Sequence, residues 1–586
     1  MNGPRFGAEP TPAGARFRLW APAARSVELV LDQPHAMKAQ EGGWYLFDHP
    51  GAHAGTRYKF RIDGEVDVSD PASAFQPEDV SGPSEIIEHA AYPWRAKHWR
   101  GLPWQDASIL ELHVGTFTPA GTFRAAIDKL DHVVEAGFAA IELMPVADFF
   151  GRRNWGYDGV LLYAPDSAYG RPEDLKALVD AAHLRGLMVF LDVVYNHFGP
   201  EGNYLGRYAP QFFTKAQTPW GSAVDYRVSE VRAFAIQNAL HWIAHYRFDG
   251  LRLDAVHAIT EPGAPHLLQE LSHVVGTYAQ QSGRAVHLVL ENDDNRADIL
   301  DPRTDPPNGR YRAQWNDDYH HAWHVWLTGE SQGYYVDYKT APLHDIARVL
   351  ASGFTYQGEA SAHRNGKIRG QPSSKLPPEA FVNFLQNHDQ IGNRPLGNRL
   401  TTQADARALE AALMITLLAP MPPLMFMGEE WGSTRPFPFF CDFRGELADA
   451  VRKGRRQEFK AAYAGLPDGS PDPLAEETFH SAIVDWGARE SDLGRQRLSL
   501  VAQLLATRRR HIAPRIAQVA FGSARVEGPV LTADWRLRDG GKLTLVANLG
   551  KGSQDLPPTS RGTPIWGGPV PARLPPYSVF WSIGAA

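Results

Sequence analysis

The amino-acid sequence predicts an α/β fold, a (β/α)8 TIM barrel flanked by an N-terminal and a C-terminal β-sandwich. Between residues 107 and 511, short apolar runs alternate with amphipathic helical stretches, which is typical of parallel strands joined by helices. Before and after that region, short runs of alternating apolar residues are separated by turn-forming residues, which indicates sandwiches. A chain of 586 residues is also too long for a single hydrophobic core.

These changes of pattern divide the chain into four predicted segments. Residues 1–90, which include RFRLWAPAARSVELVL and GTRYKFRIDGEV, are predicted to form an immunoglobulin-like β-sandwich. Residues 91–106 are rich in Trp, Pro and charge, and are predicted to be a linker. Residues 107–511 are predicted to form the barrel with its loop insertions, and residues 512–586 the second sandwich.

Seven apolar runs are the clearest predicted strands of the barrel. In chain order they are SILELHVGTF, AAIELMPV, LMVFLDVVYNH, FDGLRLDAVH, AVHLVLEND, FVNFLQNHD and PPLMFMGEE. A weaker run near RYRAQWND (residues 310–317) completes a set of eight and is the sixth along the chain. Gly137, Gly186 and Gly283 follow helical stretches and are predicted to cap helix C-termini. The pattern alone leaves an open, doubly wound sheet as an alternative.

The composition excludes several classes of protein. Asp and Glu number 66 against 59 Lys and Arg, and the net charge of −7 gives no basic surface for nucleic acid or an anionic membrane. No apolar run reaches the ~18–20 residues that are needed to span a bilayer. The N-terminal stretch MNGPRFGAEPTPAG lacks the apolar core of a signal peptide, so we expect a soluble, cytoplasmic protein. Cys441 is the single cysteine, too few for an internal disulfide or a structural zinc site.

Polar residues follow several predicted strands at their C-terminal ends, where the active sites of barrels lie. By strand they are Asp192, Asn196 and His197 on the third, Arg252, Asp254 and His257 on the fourth, Glu291 and Asp293 on the fifth, and Asn387, His388 and Asp389 on the seventh. Asp254, Glu291 and Asp389 are therefore expected to converge at one mouth of the barrel. Burying carboxylates together is costly because like charges raise one another's pKa, so such a cluster indicates acid–base chemistry.

Two kinds of chemistry suit this set of side chains. Retaining hydrolysis of a glycosidic bond needs one carboxylate as nucleophile and one protonated carboxyl group about 5 Å away, and it needs no metal. A metal site built from the same Asp, Glu and His residues is the alternative. Arg252 lies two residues before Asp254 on the same face of the strand, and a fixed cation there favours an ionised nucleophile over a metal ligand.

Four strand-end motifs carry a resemblance to a known superfamily. DVVYNH (192–197), GLRLDAVH (250–257), LEND (290–293) and FLQNHD (384–389) resemble the motifs of the α-amylase superfamily of glycoside hydrolases, in the same order. The resemblance implies that Asp254 is the nucleophile, Glu291 the general acid/base and Asp389 the transition-state stabiliser. The residues that it implies for substrate binding are His197, Arg252, His388, Asp192, His257 and Asn387.

Within this superfamily, three further segments are similar to the maltooligosyltrehalose trehalohydrolases: NHFGPEGNYL, LQNHDQIGNR and GEEWGSTRPFPFFCDF. Those enzymes cut the α-1,4 bond next to the terminal trehalose unit of maltooligosyl trehalose, downstream of a maltooligosyltrehalose synthase. A 1,4-α-glucan branching enzyme or an amylase-type hydrolase is the alternative. Branching enzymes usually have two consecutive acids on the acid/base strand and NHDEV after strand seven. Here Asn292 follows Glu291 and Gln390 follows Asp389, which disfavours branching.

Aromatic residues in the loops are candidate platforms for sugar rings. Trp155 and Tyr157 in NWGYDG, and Phe437 and Phe439 in FPFFCDF, are expected to bind substrate by stacking, although packing of the loops is an equal alternative for each ring. Asn196 matches a calcium ligand of many amylases, but no further ligand set is recognisable. We therefore expect no metal and no other cofactor.

Overall fold

The N-terminal sandwich packs two antiparallel sheets face to face. The structure, a computed structural model, describes residues 5–218, 221–259, 266–301, 311–463, 470–555 and 562–585. In spatial order, one sheet contains Glu9–Thr11, Gly14–Trp20, Trp44–His49 and Lys38–Ala39, and the other Pro34–Ala36, Val27–Val30, Arg57–Ile62 and Val66–Val68, with Ser84–Glu85 beside Arg57–Ile62. Alternate side chains point inward, so Phe17, Leu19 and Phe60 are buried in the core of the sandwich.

The middle of the chain forms a closed barrel of eight parallel strands. From first to eighth they are Ile109–Leu112, Ala140–Leu143, Met188–Val193, Gly250–Leu253, His287–Leu290, Tyr311–Trp315, Phe381–Val382 and Leu424–Phe426. From the first to the seventh, each strand pairs with the next in sequence, and the eighth pairs with the first. The seventh and eighth close the circle, because Asn383 accepts from Leu424 N and donates to the Pro422 carbonyl, both at 2.9 Å. The predicted barrel is confirmed, its weak sixth strand included, and the open sheet is wrong.

Helices run between the strands and surround the barrel. The longer ones are Pro172–Leu184, Ser229–His245, Leu267–Ser282, Asp317–Thr328, Pro342–Ser352, Ala406–Leu418, Gly445–Tyr463 and Asp492–Thr507. The shorter ones are Val114–Phe117, Phe123–Ile127, Leu130–Ala136, Leu205–Tyr208, His388–Gly392, Glu476–Ser481 and Trp486–Arg489. Gly137, Gly186 and Gly283 follow helix ends with left-handed φ of 93°, 78° and 64°, so the three predicted caps are confirmed. In the described part of the chain, no helix has the length and apolar character required to cross a membrane.

Residues 91–106 pack against the barrel instead of hanging free between domains. Trp104 is only 5% exposed, and its Nε1 donates to the Glu379 carbonyl at 2.7 Å. Trp99 donates from Nε1 to Asp249 Oδ1 at 2.8 Å and stacks on His183 with ring centroids 4.9 Å apart. These contacts cover the end of the barrel at which the strands begin, opposite the mouth that carries the polar strand ends.

The C-terminal β region completes the predicted three-part architecture. Its main sheet contains, in spatial order, Ser523–Glu527, Val530–Arg536, Lys542–Asn548, Ser578–Gly584 and Thr563–Trp566, and a smaller one pairs Gln554–Asp555 with Arg573–Leu574. Trp535 and Trp581 stack inside it, with centroids 5.7 Å apart. Trp535 Nε1 also donates to the Leu350 carbonyl at 3.1 Å, which ties this region to a helix of the barrel.

Candidate active site

Arg252, on the fourth strand, is the centre of the site. Its fully buried guanidinium donates from Nη1 to Asp192 Oδ2 at 2.8 Å and to Asp254 Oδ1 at 3.0 Å. Its Nη2 forms an ion pair with Glu291 Oε2 at 3.0 Å. Burial alone would lower the pKa of Arg252, but the surrounding carboxylates raise it well above its usual value. One permanent cation therefore holds carboxyl groups from the third, fourth and fifth strands together.

The arginine is itself held by an aromatic ring below it. Its guanidinium carbon lies 4.0 Å from the ring centroid of Trp315, a fully buried residue at the end of the sixth strand. This cation–π contact fixes the plane of the guanidinium, because the buried ring leaves it little freedom to rotate.

A strained turn fixes Asp254 against Glu291. Asp254 directly follows the fourth strand, and its Oδ2 accepts from Asn196 Nδ2 at 2.8 Å. The next residue, Ala255, has a left-handed φ of 40°, which is unusual for a residue with a Cβ. In that conformation the Ala255 N–H points at Glu291 Oε2 and donates to it at 2.8 Å. The backbone strain thus serves to bring the two carboxyl groups to one place.

The two carboxyl groups differ in their surroundings. Burial raises the pKa of Glu291, Arg252 opposes this, and the charge of Asp254 raises it further, so the net pKa is above the usual value. Asp254 accepts hydrogen bonds from a guanidinium and an amide, which fix the orientation of its carboxyl group. Acid-assisted nucleophilic attack requires an oriented carboxylate beside a carboxyl group whose raised pKa favours the protonated form.

Asp389 reaches the same mouth from the start of the helix His388–Gly392. Its carboxylate is 35% exposed, lies 3.5 Å from His388 Nε2, and accepts from Asn393 Nδ2 at 3.1 Å. His388 is buried, and its Nδ1 is hydrogen-bonded to Glu111 on the first strand. Burial alone would lower the pKa of His388, but the charges of Glu111 and Asp389 raise it to about 9. His388 is therefore an imidazolium ion at neutral pH.

Tyr157 joins these two halves of the site. Its ring stacks on His388 with centroids 5.1 Å apart and planes at 24°, and its hydroxyl donates to Asp192 Oδ2 at 2.6 Å. Asp192 also accepts from Arg252, yet burial raises the pKa of Asp192 to about 7. Tyr157 and His388 thus form one continuous wall beside the carboxyl groups.

His197 supports the carboxyl group of Asp254 through Asn196. Its Nε2 contacts the Tyr157 carbonyl at 2.9 Å, and its Nδ1 contacts the side-chain oxygen of Asn196. Since Asn196 in turn donates to Asp254, His197 supports the carboxylate through the amide. Burial lowers the pKa of His197, which favours the neutral ring.

Two other predicted binding residues contact backbone groups. Asn387 caps the helix His388–Gly392, accepting from Gln390 N at 3.1 Å. His257 accepts from Asp293 N at 3.3 Å through Nδ1. Both therefore shape the loops around the mouth in this structure.

The loop aromatics other than Tyr157 pack mainly against one another. Trp155 and Phe437 are 3% and 0% exposed and stack with centroids 5.4 Å apart, so neither has a ring face open to a sugar. Loop packing, the alternative raised for these rings, describes both. Phe439 is half-buried, and its ring supports the Arg455 guanidinium at 3.9 Å.

Sequence reasoning missed three acids of the site, the buried Glu111 and Glu142 and the half-buried Asp317. Glu142, on the second strand, is 1% exposed, neither of its carboxyl oxygens has a hydrogen-bond partner, and burial raises its pKa well above the usual value. Burial and Glu291 likewise raise the pKa of Asp317. The sequence does contain a feature that could have revealed Glu111 and Glu142, because each is an acid within an apolar run, SILELHVGTF or AAIELMPV. An acid inside a strand that is buried on both faces is costly, and therefore indicates a function.

No metal cluster was found in the ranges that the structure describes, where no three His, Cys, Asp or Glu side chains are placed to hold an ion. Cys441 is buried, and burial raises the pKa of its thiol to about 12, so it stays protonated. A role for Cys441 as a thiolate nucleophile is thereby excluded at neutral pH.

The barrel and its strand-end acids place the chain in the α-amylase superfamily of glycoside hydrolases. Residues 90–213 match the family model of the α-amylase catalytic domain, and residues 5–74 match carbohydrate-binding module 48, the isoamylase N-terminal domain. Residues 519–581 match a domain of unknown function, DUF3459.

Similarity over most of the chain identifies the family within this superfamily. The chain is 43% identical to the malto-oligosyltrehalose trehalohydrolase of Deinococcus radiodurans, over 86% of this chain and 83% of that protein. It belongs to the malto-oligosyltrehalose trehalohydrolase family. A crystal structure of a putative α-amylase from Salmonella typhimurium is 44% identical, covers 99% of both chains, and superposes with a TM-score of 0.94. A 1,4-α-glucan branching enzyme of Corynebacterium jeikeium is 33% identical over only 43% of this chain, so the branching alternative is not favoured.

Proposed function

We propose that this protein hydrolyses the α-1,4 bond next to the terminal trehalose unit of maltooligosyl trehalose, releasing trehalose and a maltooligosaccharide. The observation that carries the proposal is that one guanidinium, that of Arg252, contacts both Asp254 and Glu291 at the mouth of the barrel. A close pair of carboxyl groups, one of which has a raised pKa, is what retaining hydrolysis requires. Membership of the malto-oligosyltrehalose trehalohydrolase family supports the choice of substrate.

In the proposed first step, Asp254 attacks the anomeric carbon of the glucosyl unit that is linked to trehalose. The bond from that carbon to the glycosidic oxygen breaks, its electron pair passes to the oxygen, and Glu291 gives the oxygen its proton, so trehalose leaves. Arg252 and Asn196, which donate to Asp254 at 3.0 and 2.8 Å, orient the attacking carboxylate. The raised pKa of Glu291 favours the protonated form that this step requires.

In the proposed second step, water attacks the glucosyl ester on Asp254. Glu291, now ionised, takes a proton from the water as the bond between carbon and Asp254 breaks, and the maltooligosaccharide leaves with its configuration retained. Asp389 is the proposed stabiliser of the oxocarbenium-like transition states. The carboxyl oxygens of Asp389 and the charged imidazole of His388 offer an acceptor and a donor to the sugar hydroxyls.

Selectivity for the capped substrate is proposed to lie in the loops NHFGPEGNYL, QIGNR and GEEWGSTRPFPFF. Hydrogen bonds from these loops to the capping disaccharide would be left unmade by an uncapped chain. Each unmatched buried polar group costs about 1–3 kcal/mol, so two or three suffice for strong discrimination.

The proposal includes a place in metabolism. The substrate must come from an enzyme that forms an α,α-1,1 bond at the reducing end of an α-glucan, so we place this protein downstream of a maltooligosyltrehalose synthase. We further propose that it works in the cytoplasm. The composition supports a reducing compartment, because the sequence has one cysteine and that thiol is buried.

Product analysis tests the proposal directly. Incubated with maltooligosyl trehalose, the protein should release free trehalose and a shorter maltooligosaccharide, and it should act much more slowly on an uncapped maltooligosaccharide of equal length. Formation of α-1,6 branches from amylose, with little trehalose from the capped substrate, would instead identify a branching enzyme. Equal rates on capped and uncapped chains would identify an amylase-type hydrolase.

A further inference from the structure

Asp318 is a fully buried acid that the mechanism above does not use. It lies in the first turn of the helix that follows the sixth strand. Its Oδ2 accepts three hydrogen bonds, from Asn295 Nδ2 at 2.9 Å and from the backbone N–H groups of Thr355 and Tyr356 at 2.7 and 2.9 Å. This oxygen therefore joins the turn that follows the fifth strand to the segment after the helix Pro342–Ser352.

The other carboxyl oxygen of Asp318 reaches the same turn through Arg369. Oδ1 accepts from the hydroxyl of Tyr338 and forms an ion pair with Arg369 Nη1 at 2.9 Å. Arg369 is buried, and it donates from Nε to the Asp293 carbonyl at 2.9 Å and from Nη2 to Asp293 Oδ1 at 3.0 Å. Asp318 thus holds the turn once directly and a second time through one arginine.

This turn begins directly after Glu291 and is fixed from two sides. On the side of the fourth strand, Glu291 N donates to the Leu253 carbonyl at 3.0 Å. On the side of the sixth strand, Gln314 Nε2 donates to the Asn292 carbonyl at 2.9 Å. The contacts of Asp318 hold the far end of the turn, so Glu291 lies between two fixed segments of the chain.

The contacts of Asp318 require a side chain that only accepts hydrogen bonds. Its two oxygens face N–H and O–H donors on both sides. An ionised carboxylate has acceptors alone, whereas an asparagine of the same size would turn an NH2 group toward the donors on one side. Two donors that meet cannot pair, so Asp318→Asn should displace the turn without changing the volume of the side chain.

We propose that Asp318 is a positioning residue for Glu291, which keeps the carboxyl group of that acid within reach of the departing glycosidic oxygen. It acts through Asn295 and Arg369 and not on the substrate. This inference rests on the proposed function, because it takes Glu291 to be the acid that protonates the leaving oxygen.

Aryl α-glucosides whose phenols differ in acidity test the proposal. A weakly acidic phenol needs a proton from Glu291 in order to leave, whereas a strongly acidic one needs little. In Asp318→Asn, kcat/KM should fall about 100-fold for the least acidic phenol and little for the most acidic one, since a displacement of about 1 Å can cost a factor of about 10². The dependence of log kcat/KM on phenol acidity should therefore be steeper than in the wild-type protein. An equal loss on every phenol, or no loss on any, would overturn the proposal.

Asp249→Asn is the matched control. Asp249 is equally buried at the opposite end of the barrel, and its carboxylate accepts from Trp99 Nε1, Val189 N and Arg284 Nη2 at 2.8, 2.9 and 3.3 Å. The control should lower the melting temperature as Asp318→Asn does, while its dependence on phenol acidity stays parallel to that of the wild-type protein. A steeper dependence in the control as well would assign the effect to lost stability and would overturn the proposal.

Asn295→Gly tests the same link in case Asp318→Asn does not fold. Asn295 has a left-handed φ of 48°, which glycine adopts without strain, so the variant removes the amide that reaches Asp318 and tolerates the same backbone. It should give a steeper dependence on phenol acidity with a smaller loss, because Arg369 still holds Asp293. A slope equal to that of the wild-type protein would overturn the proposal.

A crystal structure of Asp318→Asn separates this inference from the proposed reaction. The distance from Ala255 N to Glu291 Oε2, 2.8 Å in the wild-type protein, should exceed about 3.5 Å, beyond hydrogen-bonding range. If the wild-type protein releases no trehalose, the proposed reaction fails, and a displaced Glu291 still supports the positioning role. Glu291 in its wild-type position would overturn that role, whatever substrate the protein hydrolyses.

Discussion

Glu111 holds His388 at two points, since its carboxylate is hydrogen-bonded to the imidazole Nδ1 and accepts the backbone N–H of the same residue at 3.2 Å. The two residues are 277 positions apart in sequence and meet only because the barrel closes. This double contact turns Nε2 toward Asp389, 3.5 Å away, and helps to keep the ring charged.

Glu111→Gln should make activity more sensitive to pH. The glutamine keeps the shape but removes the charge that helps to raise the pKa of His388 to about 9. A group with a raised pKa keeps its proton as the pH rises toward that pKa, so the wild-type imidazolium persists above neutrality, whereas the variant loses it near neutral pH. The ratio of wild-type to variant kcat should therefore grow between about pH 6 and pH 9.

Glu142→Gln is the control for that measurement. Glu142 faces Glu111 in register on the neighbouring strand, is equally buried, and has a pKa that burial raises well above its usual value, which favours the neutral form. Replacing an acid whose neutral form is favoured with a neutral amide should leave the shape of the pH profile unchanged. If both variants show the same pH-independent loss, Glu111 only supports packing.

Asp254→Asn should remove turnover while preserving the fold. Loss of a nucleophile typically lowers kcat by roughly four to six orders of magnitude. The amide is the same size, and Arg252 keeps Asp192 and Glu291 as partners, so the melting temperature should change by only a few degrees. Near-normal activity on maltooligosyl trehalose would show that Asp254 is not the nucleophile.

Glu291→Gln should affect substrates according to their leaving groups. Turnover of maltooligosyl trehalose needs a proton on the departing oxygen, whereas an aryl α-glucoside with an acidic phenol needs little. Rates should therefore fall much less on the aryl substrate. The variant should also lose the alkaline limb of the pH–rate profile, because that limb reports ionisation of the raised-pKa acid. An unchanged limb would remove Glu291 from the acid role.

A histidine cluster should make stability depend on pH. His89 stacks on His245 with centroids 4.6 Å apart and meets His241 edge-on at 5.0 Å, while Lys176 donates to the His89 carbonyl at 3.0 Å. Burial lowers the pKa of all three rings, and the positive charge of Lys176 lowers each of them further. For His245, Arg5 also lowers the pKa, whereas Glu88 raises it.

The direction of the effect follows from these lowered values. Below about pH 6.5 the unfolded chain binds protons that the folded histidines do not, so the free energy of unfolding should fall as the pH drops, by up to about 1.4 kcal/mol per pH unit for each ring. Urea unfolding between pH 7.5 and 5.5 measures the slope. His89→Gln should reduce it, and His53→Gln, at an exposed position, should not. Equal slopes in all three proteins would exclude the cluster as the cause.

The sequence predicted the elements that a short, continuous pattern of residues encodes. Each barrel strand is a short apolar run, and Asp254, Glu291 and Asp389 each follow such a run, so parallel strands bring them to one mouth. Their catalytic roles stay predictions, as do the segment boundaries 1–90, 91–106, 107–511 and 512–586. What could be read from the sequence was thus the position of the acids along the strands.

Contacts between distant segments could not be predicted in this way. Trp315 lies beneath Arg252, and Glu111 binds His388, because of the order of strands around the closed barrel. The aromatic loops show a second limit, since composition indicates rings but not their orientation. Trp155 and Phe437 bury their faces against each other, a result of tertiary packing alone.

The linker has a consequence for protein engineering. Trp99 and Trp104 precede the first strand in sequence but pack against the end of the barrel at which the strands begin. There Trp99 donates to Asp249, and Trp104 donates to the Glu379 carbonyl. A chimera that joins this barrel to a foreign N-terminal module should therefore be spliced upstream of residue 91. A splice at residue 107 would remove the residues that cover the end of the barrel at which the strands begin. The apolar side chains exposed there would promote aggregation.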